Sequence, residues 1–204
     1  MQNVSCKRRP GQDTMTMTFT FKIDIPNKFT KKELSDFLKL LIKQEQVNNP
    51  NLDNIKASSF ICLVYCEKLA IGIGAIKQVY KTPFDKAKVS ELKSEYDYEL
   101  GYLFVDNDQK IRGLGLGKTI CKILLKQISE KNVFATTEQS ELNPMKFILE
   151  GLGFSIAGKT YVGLKSKKSI SLYVKEQVKT VELMFDDLLT QTLKAGISHT
   201  DLEW

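Results

Sequence analysis

Apolar and polar residues alternate along residues 19–25, which is the period of a strand buried on one face, and Pro26 ends the alternation. Two β-rich runs, residues 60–65 and 69–79, are separated by Glu67 and Lys68 and predict a hairpin. Further strands are predicted at residues 98–105, 133–137, 154–162 and 169–174.

Other segments carry apolar residues at the three-to-four-residue spacing of a helix. Thr30 and Glu33 have the spacing of a capping box ahead of a helix that is ended by the polar stretch 48–54. Asn143 and Pro144 are favoured residues for the cap and first position of a second helix. Helices are also predicted at residues 120–128 and 175–195, and a short helix or long loop at residues 81–97. This order indicates a mixed α/β protein rather than a strictly alternating doubly wound sheet.

The composition is that of one folded domain, with or without an extension. The 204 residues are 42% hydrophobic and 26% charged. The 30 Lys and Arg residues against 24 Asp and Glu residues give a formal charge of +6, which favours phosphate groups, nucleic acid or an acidic membrane surface as partners. The lysines have acidic neighbours and accompany no recognition motif, so a nucleic-acid partner is not predicted.

Cysteine usage and hydropathy bear on location. Cys6, Cys62, Cys66 and Cys121 lack the dense spacing of a disulfide scaffold, so a reducing cytoplasm is predicted. His199 is the single histidine, and no metal site is predicted. No segment resembles a signal peptide or approaches the ~20 apolar residues of a membrane span, so no membrane partner is predicted.

A glycine-rich loop follows the strand predicted at residues 98–105. Residues 111–119 are Ile-Arg-Gly-Leu-Gly-Leu-Gly-Lys-Thr, directly before a predicted helix. Backbone N–H groups in such a loop and the dipole of the helix bind phosphate oxygens, so a phosphate-bearing ligand is predicted. The alternative is a strand-to-helix turn that binds no ligand.

Two nucleotide-binding motifs match this loop only in part. Gly117, Lys118 and Thr119 satisfy the second half of a Walker A motif, but Arg112 stands at its first glycine. In the dinucleotide fingerprint G-x-G-x-x-G, Lys118 or Ile120 takes the place of the third glycine.

A third pattern, [RQ]-x-x-G-x-[GA], fits residues 112–117, and on it the sequence resembles the GNAT superfamily of acyl-CoA-dependent N-acyltransferases. The resemblance extends upstream to residues 99–105, which are similar to the family's strand before its pyrophosphate loop. It extends downstream to residues 143–154, which resemble the family's N…Y-x-x-x-G-F segment. The order of elements between about residue 19 and residue 174 resembles the family as well.

The resemblance implies an α/β fold with a central, mostly antiparallel twisted sheet flanked by helices. It implies an acyltransferase domain at residues 19–174. Residues 1–14 are polar and contain Pro10 and Gly11, so a flexible leader is predicted at residues 1–18, and a C-terminal helical extension is predicted at residues 175–204. The apolar stripe of that extension would pack against its own domain, against the acceptor cleft or against a second subunit in a homodimer.

The resemblance also implies where acyl-CoA binds. The pyrophosphate would lie on backbone amides of the loop, with positive charge from Arg112 and Lys118. The pantetheine arm would run between the strands at residues 98–105 and 133–137, which splay apart in this family, and Asn143 would contact it from the far side. The cofactor-binding residues implied are Phe104, Val105, Arg112, Gly113, Leu114, Gly115, Leu116, Gly117, Lys118 and Asn143.

The implied reaction transfers an acetyl or other acyl group from the thioester to a primary amine, which must lose a proton before it attacks. Glu99 is the predicted base; alternatively, it is a salt-bridged residue or only orients the substrate. Leu149 stands where the family has a tyrosine that protonates the CoA thiolate, so Tyr161, another tyrosine or water is expected to do so. Phe147 and Phe154 are predicted core residues.

Two functions remain in competition after the motif comparison. The first is the N-acyltransferase, most simply an acetyltransferase that uses acetyl-CoA. The second is a GNAT-like module that has lost catalysis and binds CoA or a partner. Acidic residues within residues 81–97 would bind a cationic amine or form a solvated loop. The acceptor amine is not specified by the sequence.

Overall fold

The computed structural model describes residues 2–6, for which only the backbone is considered, and residues 17–78, 81–106, 111–129, 131–163 and 167–176. Its strands are β1 Gln2–Cys6, β2 Met17–Asp24, β3 Ser58–Cys66, β4 Leu69–Lys77, β5 Tyr98–Val105, β6 Val133–Glu138, β7 Ser155–Val162 and β8 Ser169–Lys175. Its α-helices are α1 Lys31–Lys43, α2 Leu52–Lys56, α3 Thr82–Lys86, α4 Leu116–Lys126 and α5 Pro144–Glu150. Short 3-10 helices cover Pro26–Lys28 and Ser90–Glu95.

The strands form one sheet in the order β1-β2-β3-β4-β5-β6-β8-β7. Every neighbouring pair is antiparallel except β5 and β6, which are parallel. The predicted mixed α/β fold with a mostly antiparallel sheet is therefore confirmed. The predicted hairpin is formed by β3 and β4, and Glu67 makes its tight turn with φ +55°.

Both faces of the central strands are buried, because neighbouring residues of β3 pack on opposite sides of the sheet. Cys62 and Val64 face a core formed with α4 and α5. Ile61 and Leu63 face a second core formed with α1 and α2. A third, smaller cluster lies beneath α3 and includes Phe84. The sheet is thus held between helices on both faces, which fixes the positions of β4, β5 and α4 relative to one another.

The helix starts follow the sequence signals. The Thr30 side chain accepts a hydrogen bond from the N–H of Glu33, and the Glu33 carboxylate accepts one from the N–H of Thr30, so the capping box is confirmed. Asn143 caps α5 with Pro144 in the first turn, also as predicted.

Some expectations need correction. Residues 2–6, assigned above to a flexible leader, pair with β2 as an edge strand, since backbone pairing does not require an apolar side-chain pattern. Helix α2 lies in a polar stretch that carried no helix prediction, and Ile55 anchors it in the core. Helix α4 begins at Leu116, ahead of the apolar residues 120–128 that predicted it, because the loop glycines lead directly into it. The helix predicted at residues 175–195 lies outside the described residues, apart from Lys175 and residue 176; Lys175 ends β8.

Candidate active site

A cleft opens where the parallel strands β5 and β6 separate. Only two residue pairs, Tyr98 with Val133 and Glu99 with Phe134, join these strands in the structure. Beyond them, the remaining residues of β5 and the end of β6 line a cleft of about 1880 Å³. The predicted splay of the two strands is therefore present.

A bulge in β5 shapes one wall of the cleft. Ile73 of β4 faces Phe104 and Ala75 faces Gly101, so β5 has one residue more than β4 over this interval. Tyr102 lies within the bulge and has φ +53°, a left-handed conformation that is uncommon for a residue with a side chain. A bulge redirects the backbone that follows it, so Phe104 and Val105 line the cleft with a geometry that a regular strand would not give.

The glycine-rich loop ends in the N-terminus of α4 at the same cleft. Gly113 and Gly115 have φ +78° and +74°, and a Cβ on either would meet no heavy atom within 4 Å. Gly115 is the N-cap of α4, and no side chain caps the helix. The N–H groups of the first turn therefore have neither an intrahelical acceptor nor a side-chain acceptor at the cap. The loop and α4 give an open, electropositive end to the cleft.

Six of the seven predicted loop residues line the cleft: Arg112, Gly113, Gly115, Leu116, Gly117 and Lys118. Leu114 does not, because its N–H donates to the Ile111 carbonyl and its side chain packs against the core. The predicted contact of Leu114 with the cofactor therefore stays a prediction.

Glu99 is held in an ion pair on the wall of the cleft. The Nζ atom of Lys77 lies 3.0 Å from Oε1 of Glu99, and their side chains are only 15% and 13% exposed. The two residues face each other across β4 and β5. The same Nζ lies 4.5 Å from the ring centre of Tyr102, within range of a cation–π contact. The predicted alternative that Glu99 is salt-bridged is therefore observed, inside the cleft.

Gly101 makes room for this ion pair. A Cβ at Gly101 would lie 2.6 Å from Cε and 3.0 Å from Nζ of Lys77. The lysine side chain therefore crosses the Gly101 backbone on its way to Glu99. A larger residue at this position would displace Lys77 from the cleft wall.

The tyrosines near Glu99 are in two different settings. Tyr102 lines the cleft, and burial and then the Glu99 charge raise the pKa of its phenol. Tyr161 is not among the residues that line the cleft; it packs at the edge of the cluster under α3, with Nζ of Lys86 5.7 Å from its ring centre. Burial, followed by the Glu99 charge, raises the pKa of Tyr161 to about 12. Both phenols are therefore protonated at neutral pH.

Helix α5 presents apolar side chains to the cleft. Leu149, at the position where the resemblance places a proton-donating tyrosine, is fully buried in the core and does not line the cleft. This position therefore supplies no proton donor to the cleft. Phe154 is buried as predicted, whereas Phe147 is 57% exposed at the cleft, so the prediction of a core role is wrong for Phe147.

Asn143 ties α5 to the end of β6. Its Oδ1 accepts from the N–H of Met145 at 3.1 Å, and its Nδ2 donates to Oγ1 of Thr137 at 2.8 Å and to the carbonyl of Glu138 at 2.7 Å. All the polar atoms of this side chain thus have partners in the protein, and the residue also lines the cleft. Asn143 therefore positions α5, which forms one wall of the cleft, against the end of β6.

We expect Asn143→Ala to lower the free energy of unfolding by about 1–2 kcal/mol, because it removes the helix cap and both links to β6. Asn143→Asp keeps the cap acceptor and loses the donor to the Glu138 carbonyl, so we expect an intermediate loss. Urea unfolding without any ligand measures both. Stability equal to that of the parent protein for Asn143→Ala would contradict the positioning role.

Gln44 closes the wall behind the bulge. Its Nε2 donates to the carbonyl of Leu103 at 2.8 Å. Its Oε1 is buried and has no partner in the described part of the chain, although the residue lines the cleft. An acceptor in that position is available to an N–H group of a bound molecule.

Sequence reasoning missed Lys77, Tyr102 and Gln44. The sequence shows Lys77 only as a lone lysine near the end of a predicted apolar strand, and Tyr102 only as a tyrosine next to a strand glycine. Neither is informative until the β4–β5 register and the bulge are known. Gln44 follows the last turn of α1, where the sequence shows only a polar surface residue.

No protein-family model matches the chain, and no curated protein matches it in sequence. Solved structures do match. An acyl-CoA N-acyltransferase from Pseudomonas aeruginosa has a TM-score of 0.58 at 12% identity, over 77% of this chain and 99% of its own. ElaA of Escherichia coli has a TM-score of 0.57 at 12% identity, over 78% of this chain and 99% of its own. Arabidopsis thaliana Naa50, in complex with the bisubstrate analogue CoA-Ac-MVNAL, has a TM-score of 0.54 at 17% identity, over 76% of this chain and 98% of its own.

The chain therefore has the fold of the GNAT acyl-CoA N-acyltransferases, as the resemblance implied. The described helices are all too short or too polar to cross a membrane. Within the same residues, no three His, Cys, Asp or Glu side chains form a group that could hold a metal ion.

Proposed function

We propose that this protein is an acyl-CoA-dependent N-acyltransferase that transfers an acetyl group from acetyl-CoA to a primary amine by direct attack on the thioester. The observation that carries the proposal is the cleft between β5 and β6, which combines the uncapped start of α4 with the Glu99 carboxylate. Its volume, about 1880 Å³, exceeds the roughly 300–1,000 Å³ of a pocket for a drug-sized ligand, so it has room for a long donor and an acceptor.

The electropositive end of the cleft suits a pyrophosphate. The first-turn N–H groups of α4 have no side-chain cap and are available to an anion bound at the helix start. The open space at Gly113 and Gly115 would let phosphate oxygens approach the backbone. Arg112 and Lys118 line the same region and add positive charge. We assign this end to the phosphate groups of the acyl donor.

The exposed edge of β5 suits the pantetheine arm. Beyond Glu99, no pairing with β6 occupies β5, so backbone groups near Phe104 and Val105 are available to the amides of that arm. An N–H in this stretch would stabilise the oxyanion that develops on the thioester carbonyl. Gln44 holds the bulge through Leu103, and Asn143 holds the opposite wall.

The carboxylate of Glu99 is our candidate for the base. A primary amine has a pKa near ~10 and must be deprotonated before it attacks. Lys77 occupies Oε1 of Glu99, so an incoming amine either uses the rest of the carboxylate or displaces Lys77. Glu99 therefore acts within a pair, and Lys77 sets its position.

The departing thiolate needs a proton. Tyr102 lines the cleft, and its raised pKa keeps the O–H in place at neutral pH, so we assign the donor role to Tyr102 or to water. Tyr161 does not line the cleft, so we do not assign the protonation of the thiolate to it.

The proposed activity is tested by the release of free thiol from acetyl-CoA in the presence of a panel of primary amines, with CoA binding measured by calorimetry on the same protein. We expect CoA binding, and amine-dependent thiol release with at least one acceptor class. Absence of both would contradict the proposal.

A second candidate is a CoA-binding module without transferase activity. The observation that favours it is the ion pair that Lys77 forms with Glu99, together with the buried Leu149 at the position where the resemblance places a tyrosine. Tight CoA binding with no thiol release for any amine in the panel would support this candidate and overturn transfer.

A further inference from the structure

Lys77 places a primary amine of the protein itself beside the carboxylate that the proposed reaction uses as a base. Its Nζ lies 3.0 Å from Oε1 of Glu99 and lines the same cleft. A primary amine next to a base is the arrangement that an acceptor requires. In the described structure this place is taken by a side chain of the protein.

The side chain of Lys77 is held in the cleft by its surroundings. It faces Glu99 in the strand register, crosses the backbone of Gly101, and lies against the ring of Tyr102. Its exposed fraction is 15%, compared with 32% for Lys81, which pairs with Asp97 at 3.4 Å and lines the cleft as well. Lys77 is therefore less open to bulk solvent than Lys81, and its partner carboxylate is 13% exposed, compared with 68% for that of Lys81.

We propose that Nζ of Lys77 is itself an acyl acceptor, so that the protein acylates its own cleft lysine. This inference rests on the proposed function, because it needs acyl-CoA in the cleft. In the step, Glu99 takes a proton from the Lys77 ammonium, and the free amine attacks the thioester carbonyl. A C–N bond forms and the C–S bond breaks. The CoA thiolate takes up the second proton that the attacking nitrogen loses, and the protonated Glu99 returns its proton to solvent. The product is Nε-acyl-Lys77.

The modification changes the charge of the cleft. An amide carries no positive charge, so acyl-Lys77 no longer forms the ion pair with Glu99. The carboxylate then faces the cleft without its intramolecular partner and accepts the ammonium of an external amine. Self-acylation would thus convert a cleft occupied by the protein's own amine into one that is open to an acceptor.

The test incubates the full-length protein with acetyl-CoA labelled in the acetyl group and no added amine, then follows labelling of individual lysines by peptide mass spectrometry. We expect Lys77 to be labelled at least about tenfold faster than Lys81, since general base catalysis contributes roughly 10²–10⁴-fold. The rate at Lys77 should not depend on protein concentration, and excess CoA should suppress it without affecting Lys81.

Glu99→Gln separates catalysis from chemical labelling. Loss of the carboxylate leaves the lysine unpaired and more accessible, so chemical labelling by acetyl-CoA would rise or stay the same. Self-acylation predicts the opposite, a fall of at least about tenfold at Lys77 with Lys81 unchanged. Lys77→Arg keeps a positive charge beside Glu99 and should remove the labelled peptide altogether.

Labelling of Lys77 at the rate of Lys81, or faster labelling in Glu99→Gln, would overturn self-acylation. If Lys77 stays unlabelled while external amines are acylated, the proposed function stands and only this inference fails. If CoA neither binds nor releases thiol, both fail.

Discussion

Glu99→Gln is expected to lower kcat/KM for amine acylation by about 10²–10⁴-fold near neutral pH, because it removes the proposed base and keeps the shape of the side chain. At pH well below ~10 nearly all of the acceptor is protonated, and the base is needed to produce the free amine. The deficit should therefore shrink as the pH rises toward the pKa of the amine. The measurement is kcat/KM for parent and variant across that range.

Asp97→Asn provides a matched control. Asp97 is also a carboxylate paired with a lysine of the cleft, but its side chain is 68% exposed. We expect its pH profile to follow that of the parent protein. A ratio of Glu99→Gln to parent activity that stays constant with pH would show that Glu99 moves no proton. Thermal unfolding of both variants separates this effect from loss of fold.

Gly74→Ala is expected to affect both stability and donor binding. A Cβ at Gly74 would lie 2.6 Å from Cγ2 of Ile120 and 2.9 Å from Cδ1 of Leu124, so α4 would have to move away from β4. Overpacking of this kind costs about 1–3 kcal/mol. Because the first turn of α4 forms the end of the cleft that we propose binds the phosphates of the donor, CoA affinity should fall together with the melting temperature.

Gly72→Ala is the control for this substitution. Gly72 lies on the same strand, and its Cβ would meet the terminal Cδ1 of Ile120 at 3.2 Å, a contact that a side-chain rotation relieves. Replacing a strand glycine also reduces the entropy of the unfolded chain, so we expect stability within about 0.5 kcal/mol of the parent or slightly above it. Equal effects at the two glycines would contradict the role assigned to the α4–β4 contact.

Local sequence patterns predicted the parts of the fold that depend on local chemistry. The capping residues Thr30 and Asn143, the glycine loop and strand β5 were predictable, because their signals lie within a few residues of one another. The pairing of residues 2–6 with β2 was not, because an edge strand is held by backbone hydrogen bonds that leave little pattern in the side chains.

The candidate site divides in the same way. Glu99 and the loop residues could be picked from the motif, but the partner of Glu99 could not. Lys77 and Glu99 lie 22 positions apart (99 − 77 = 22), and they meet only through the β4–β5 register. That register is interrupted by the bulge at Tyr102, which follows from the packing of the whole sheet rather than from a local preference.

The narrow junction between β5 and β6 also bears on how the protein responds to its ligand. Two residue pairs, Tyr98 with Val133 and Glu99 with Phe134, connect the backbone hydrogen bonding of β1–β5 to that of β6, β8 and β7. Separation of β5 from β6 at this junction breaks few backbone hydrogen bonds. The free energy of opening there, helix packing aside, should therefore be lower than that of the flanking hairpins. A molecule bound to both sides would raise that free energy as its concentration exceeds Kd. Amide hydrogen exchange at this junction would then slow as such a molecule accumulates, and the conformational stability of the protein would follow the supply of that molecule.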